Sequence, residues 1–161
     1  MLSVARRLTR AQAGTVYCCE PDGLRFLVSQ NDALARDLGY AAASDALTRR
    51  CLPWTEHSIA TYVARTLRPL NIPDVYRIPV TAPYAFNPHI DHTIDFRTVS
   101  MLVTPLRTPI RGVLQLINAT DRDKRIIAFS VEDELLVDEL ASDPTVPVSS
   151  RASIQQEPTR T

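Results

Sequence analysis

Two neighbouring segments, VSMLVTPLR at 99–107 and RGVLQLINAT at 111–120, constrain the fold most. Both are apolar and β-branched on both faces, so each reads as a central strand that must be covered on its two sides. The TPIR link between them is short enough for a hairpin. A chain built around such a pair has to supply cover for both sides of one sheet.

The remaining segments supply it. Residues 2–12 suit an amphipathic helix with Leu2, Ala5 and Leu8 on one face. TVYCC, following Gly14, and LRFLVSQ flank PDG at 21–23, which has hairpin-turn chemistry. NDALARDLGY reads as a short helix that Gly39 ends, followed by Ala- and Arg-rich sequence up to Pro53. Residues 58–67 form a second amphipathic pattern, with Ile59, Val63 and Leu67 near one face and Pro69 as the stop. Five of the twelve prolines fall between 69 and 88 and exclude a long helix or a central strand there. Ile72, Val75, Tyr76, Ile78, Tyr84 and Phe86 are interleaved with them, so the segment reads as an ordered, irregular lid.

A polar loop leads to AFSVEDELLVDELAS, where Ser130 and Asp133 have the spacing of a capping box. Beyond Ala141 the composition turns to Pro, Ser and Thr without an apolar period. The expectation is a domain over 1–142 and a disordered tail over 143–161. Two hairpins with helices at the chain ends make an antiparallel α+β fold.

Eighteen basic residues balance eighteen acidic ones, which gives no field favouring nucleic acid or an anionic membrane. No apolar run reaches the ~18 residues of a spanning helix, and MLSVARRLTRAQAG lacks a signal-peptide core, so a cytoplasmic location is expected. Cys18, Cys19 and Cys51 form no CxxC, and adjacent strand residues face opposite ways; all three are expected as reduced thiols. His89, Asp91 and His92 in NPHIDH lack a third spaced ligand and match no metal signature, and His57 reads as solvent-facing or capping. With four glycines there is no phosphate-cradling loop, and no serine has the GxSxG context. Neither a metal nor a cofactor is expected.

From about Val4 to Ala141 the chain resembles a GAF domain. The resemblance rests on SIATYVARTLRPLNIPDVY at 58–76, DFRTVSMLVTPL at 95–106, GVLQLIN at 112–118 and FSVEDE at 129–134. It implies a six-stranded antiparallel sheet with terminal helices on one face and a lidded ligand pocket on the other. It also implies a non-enzymatic sensory or regulatory role in signal transduction, binding a small molecule of nucleotide-like or other character. Two alternatives belong to the same resemblance: a structural dimerisation module with a vestigial pocket, and a fragment of a larger cyclic-nucleotide or cyclic-di-GMP signalling enzyme. The partners it implies are a small-molecule ligand, a second copy of the chain, and a signalling enzyme.

The resemblance places Thr15, Ser29 or Gln30, Ile59, Ala60, Asp91 and Thr98 at ligand-lining positions. Asn118, Phe129, Asp133 and Glu134 match a phosphodiesterase signature in which a Lys pairs with the Asp. Ala119 stands at that Lys position, which leaves Asp133 without this partner. In DHTIDFRT, Ile94 and Asp95 replace the family's first Thr and Gly, and both changes disfavour a cyclic nucleotide. Free methionine sulfoxide reductases of this fold use cysteines in the second half of the chain, and none follows Cys51 here. Bilin-binding members use a Cys beside a His, a pair that does not occur.

Overall fold

The computed structural model describes residues 1–33, 51–93 and 95–148. The expected helix ending at Gly39 lies, from residue 34 on, outside the described residues, as does Ile94. The element order is α1 (Leu2–Thr9), β1 (Ala13–Glu20), β2 (Gly23–Asn31), β3 (Cys51–Pro53), α2 (Ile59–Thr66), β4 (Leu70–Ile72), a 3-10 turn (Val75–Arg77), α3 (His89–Thr93), β5 (Met101–Leu106), β6 (Gly112–Ile117), β7 (Ala119–Thr120), β8 (Ile126–Ile127) and α4 (Val131–Ser142).

Six strands form one antiparallel sheet in the order β3-β2-β1-β6-β5-β4. Both expected hairpins are present, and β6 sits in the interior of the sheet. The two edges went unread in the sequence. β3 lies at the end of the Ala- and Arg-rich stretch, and β4 is the first part of the segment expected to be all lid. Each is three residues long, too short for a periodicity to emerge, and each is an edge, where flanking proline is tolerated. The loop after Asn118 also carries a small hairpin, β7 with β8.

The sheet separates two apolar layers. On one face Val16, Leu102, Leu106, Leu114 and Leu116 pack against Leu2 and Ala5 of α1 and Val137 and Ala141 of α4. Gly14 permits this approach: a Cβ there would stand 2.7 Å from Leu2 Cδ1. On the other face Tyr17, Leu24, Phe26, Met101, Val103 and Val113 pack against Ile59, Val63 and Ala64 of α2 and Val75 of the lid. The helix faces differ from expectation in two places. Leu8 is exposed and Thr9 is buried in its stead, its hydroxyl donating to the Ala5 carbonyl. Leu67 is exposed as the left-handed C-cap of α2.

Helix α4 starts in a complete capping box, with the Asp133 N–H donating to Ser130 Oγ and the Ser130 N–H to Asp133 Oδ2. Past α4 the chain continues in contact with the domain: Val146 and Val148 join the helix-side layer, and the Met1 amino group donates to the Pro147 carbonyl at 2.8 Å. Of the expected tail, Val146 and Val148 are therefore packed, while Pro144, Thr145 and Pro147 are exposed and 149–161 lie outside the described residues. Among the described residues no helix is long and apolar enough to cross a membrane.

Candidate ligand pocket

A cavity of about 380 Å³ opens on the α2 side of the sheet. That is at the small end of the ~300–1,000 Å³ usual for ligand sites. Thr15, Tyr17, Ser29 and Gln115 line it from the sheet, Ile59 and Ala60 from the start of α2, Phe86 from the lid, and Asp91, Phe96 and Thr98 from α3 and the segment after it. Ser58 caps α2, accepting from the Thr61 N–H at 3.2 Å. The lid is held by ring contacts, with Tyr76 edge-on to Phe86, Tyr84 against Tyr62 and the Arg97 guanidinium over Tyr76.

A β-bulge decides which of Ser29 and Gln30 faces the cavity. Val16 pairs with Val28 but Tyr17 pairs with Phe26, so Leu27 is an extra residue opposite β1. One inserted residue reverses the alternation along the rest of the strand. Leu24 and Phe26 face the cavity side, and beyond the bulge Ser29 does so too. Ser29 and Thr15 are directly opposite, with their hydroxyls 3.0 Å apart. Gln30 borders the cavity, but its carboxamide is engaged on the other face, accepting from Arg6 and donating to Ser3.

Tyr17 and Gln115 complete this polar floor and Glu56 borders the cavity from the segment before α2; none of them stood out in the sequence. Burial pushes the Tyr17 phenol well above its ordinary range, a push that Glu56 reinforces and that the Thr15 and Gln115 side chains oppose. The phenol therefore stays protonated and uncharged at neutral pH. Tyr17 and Gln115 would have been found by carrying the strand alternation of Thr15 one step on to Tyr17 and across to β6; Glu56 lies on no strand and carried no such signal.

Asp91 and Thr98 reach the cavity as a bonded pair. The Thr98 N–H donates to Asp91 Oδ2 at 2.7 Å and the Thr98 hydroxyl to Oδ1 at 2.8 Å. Asp91 was expected to face a ligand; both its oxygens instead close the 91–98 loop. Asn118 secures the neighbouring residues from behind. Fully buried with φ 58°, it accepts from the Val99 N–H at 2.7 Å and donates to the Arg97 carbonyl at 2.7 Å and to Gln12 at 3.0 Å. The carboxylate and the carboxamide thus fix the backbone on either side of Thr98. Asp95, at the family's Gly position, keeps a glycine-like φ of 48°, and its exposed side chain is not among those lining the cavity. The expected repulsion of a phosphate by Asp95 has no support in this placement.

The other signature residues lie across the sheet. Phe129 is buried in the helix-side layer, and its carbonyl accepts from Asn71 Nδ2 at 3.0 Å. Glu134 lies 3.4 Å from the same amide, while Asn71 Oδ1 is buried without a hydrogen-bond partner among the described residues. With Ala119 in place of the family's Lys, Asp133 is occupied by the capping box. Ala119 is 1% exposed within the apolar layer and offers no room for a lysine reaching Asp133.

The cysteines are not gathered at the cavity. Cys18 pairs with Arg25 and Arg25 with Cys51, so about two strand spacings, ~10 Å, separate those two thiols. A disulfide needs Cα atoms within ~7 Å. Burial raises the Cys18 and Cys19 thiols above their ordinary range. Cys51 borders the cavity, but its register beside Arg25 puts its side chain on the other face. Among the described residues no group of His, Cys, Asp and Glu could hold a metal ion.

Residues 1–143 match the family model of the GAF domain. Solved structures of the same fold include the GAF domain of a phosphoenolpyruvate-protein phosphotransferase from Coxiella burnetii, 16% identical, with a TM-score of 0.62 over 87% of this chain and 73% of that one. A GAF domain/HD domain protein from Geobacter sulfurreducens is 15% identical, with a TM-score of 0.60 over 87% and 81%. A type II free methionine-R-sulfoxide reductase from Thermoplasma acidophilum is 16% identical, with a TM-score of 0.58 over 88% and 84%. At such identities the likeness concerns the fold alone.

Proposed function

The chain belongs to the GAF domain family, and from that premise we propose that it is a non-catalytic regulatory domain binding a small molecule in the cavity beside α2. One observation carries the reading. The floor of a preformed cavity holds a Thr15–Ser29 hydroxyl pair and the protonated Tyr17 phenol, ringed by Phe26, Phe86 and Phe96. Polar groups converging in an apolar recess suit binding. Reduction of a sulfoxide would need an attacking thiolate and, for a disulfide, a second thiol in reach; the separation of Cys18 from Cys51 argues against it. In this reading Thr15, Ser29, Ile59 and Ala60 contact the ligand, while Asp91 and Asn118 hold the wall.

Native mass spectrometry of gently purified protein tests the proposal, and a bound mass lost on denaturation is expected. The apo mass alone, together with no thermal shift across a metabolite collection, would refute it. Turnover of free methionine-R-sulfoxide by the reduced protein would refute the non-catalytic part.

A second reading has its own observation. Leu8 of α1 and Val131, Leu135 and Leu136 of α4 are exposed on the helix side. The two helices carry opposite charge at their exposed positions: Arg7 and the C-cap Arg10 on α1, against Glu132, Asp138 and Glu139 on α4, while Arg6 is committed to Asp32. Two copies related by a two-fold axis could set basic α1 on acidic α4. Sedimentation should then report a dimer that Leu135→Asp dissociates; a monomer at all concentrations would remove this reading.

A further inference from the structure

We infer that the cavity selects a ligand that is cationic or neutral and rejects an anion of the same shape. The inference rests on the cavity being the binding site, and it concerns the charge of what enters. Glu56 and Asp91 border the cavity, and among the described lining residues there is no lysine or arginine. The Asp91 carboxylate is buried and held by two neutral donors of Thr98, and it has no ion pair among the described residues. Glu56 is half-buried, and its carboxylate has no hydrogen-bonded or ionic partner among the described residues. It lies close enough to Tyr17 to act on the phenol. The floor beneath it is neutral: Thr15, Tyr17 and Ser29 offer hydroxyls and Gln115 a carboxamide. His89, among the described lining residues the one base, is exposed.

One feature pulls the other way. The start of α2 faces the cavity through Ile59 and Ala60, and a helix N-terminus carries about half a positive charge. The two carboxylates of Glu56 and Asp91 outweigh it, and a recess with apolar walls concentrates their field. The ligand that fits is compact, with a flat apolar body for Phe26, Phe86 and Phe96 and a protonated amine or amidine for Glu56.

Three probes of nearly equal shape separate the terms: benzamidine (cation), benzamide (neutral) and benzoate (anion). Each is titrated into the full chain at fixed ionic strength, following the methyl signals of Ile59, Met101 and Ile117, which line the cavity. Benzamidine is expected to move these methyls with an affinity about tenfold above that of benzoate, with benzamide between. Glu56→Gln should bring benzamidine down to the level of benzamide measured on the same variant. Benzoate binding as tightly as benzamidine, or a cation preference that survives Glu56→Gln, overturns the charge inference while the cavity stands as the site. If none of the three moves these methyls, the binding reading itself fails.

Discussion

On the helix side of the sheet, Val16, Leu114 and Leu116 meet α1 and α4 in an apolar layer. On the other side the same strands present Thr15, Tyr17, Gln115 and Ser29 to a recess under an irregular roof. One strand alternating between these faces serves two purposes. The first face stabilises through area removed from water, which tolerates exchange of one aliphatic residue for another. The second adds to its own apolar layer against α2 a few buried polar bonds around the recess, where every group must keep its partner. The loop closed by Asp91, Thr98 and Asn118 shows that several residues of the family pattern serve this second purpose by holding backbone.

The largest effect should come from forcing a charge into the apolar face. Ala119→Lys is expected to cost about 3–5 kcal/mol in urea denaturation, because an ammonium there must be desolvated or deprotonated. A neutral or stabilising result would mean that the layer opens toward Asp133 after all. Next is Asn118→Ala, which empties a fully buried site and takes the side-chain partner from the Val99 N–H and the Arg97 carbonyl, at about 3 kcal/mol. A loss below about 1 kcal/mol would show that the 97–100 segment is held by other means.

Asp91→Ala should cost about 2 kcal/mol in the ligand-free protein, whereas Asp91→Asn, which keeps an acceptor for the Thr98 N–H, should cost about half that. Equal losses from the two variants would show that the carboxylate's charge matters more than the bonds. Truncation after Ser142 removes Val146, Val148 and the Met1–Pro147 bond, for about 1–2 kcal/mol. Truncation after Val148 is expected to leave the thermal midpoint where it was.

The smallest effect is confined to alkaline pH. Tyr17 keeps its proton in the folded protein at a pH where the unfolded chain, at its ordinary value of 10.0, has lost it. Above that value the folded state holds more protons, so the contribution of Tyr17 to stability is present below it and falls as pH rises. Tyr17→Phe should flatten that decline and change little at neutral pH. An unchanged alkaline slope would place the phenol in contact with water.

Much of the helix face was legible in the chain. The apolar runs at 99–107 and 111–120, the PDG turn and the Ser130–Asp133 spacing each encode a local preference that the fold keeps. Leu8 and Leu67 escaped because a helical period marks an apolar face without saying how far the neighbouring layer extends over it. The three-residue edge strands escaped because a strand that short owes its form to the partner it pairs with.

The sequence by itself determined the antiparallel α+β fold and the residue types available to the recess, since local propensity and apolar period act over a few neighbours. Tertiary structure alone decided which of those residues meet. The Leu27 bulge turns Ser29 toward the recess and sends Gln30 to Arg6, because strand side chains alternate and one inserted residue reverses them all. Asp91 is committed to Thr98, and Glu56 stands by Tyr17 across a gap of thirty-nine residues in the chain, because only the closed sheet brings such distant groups within reach.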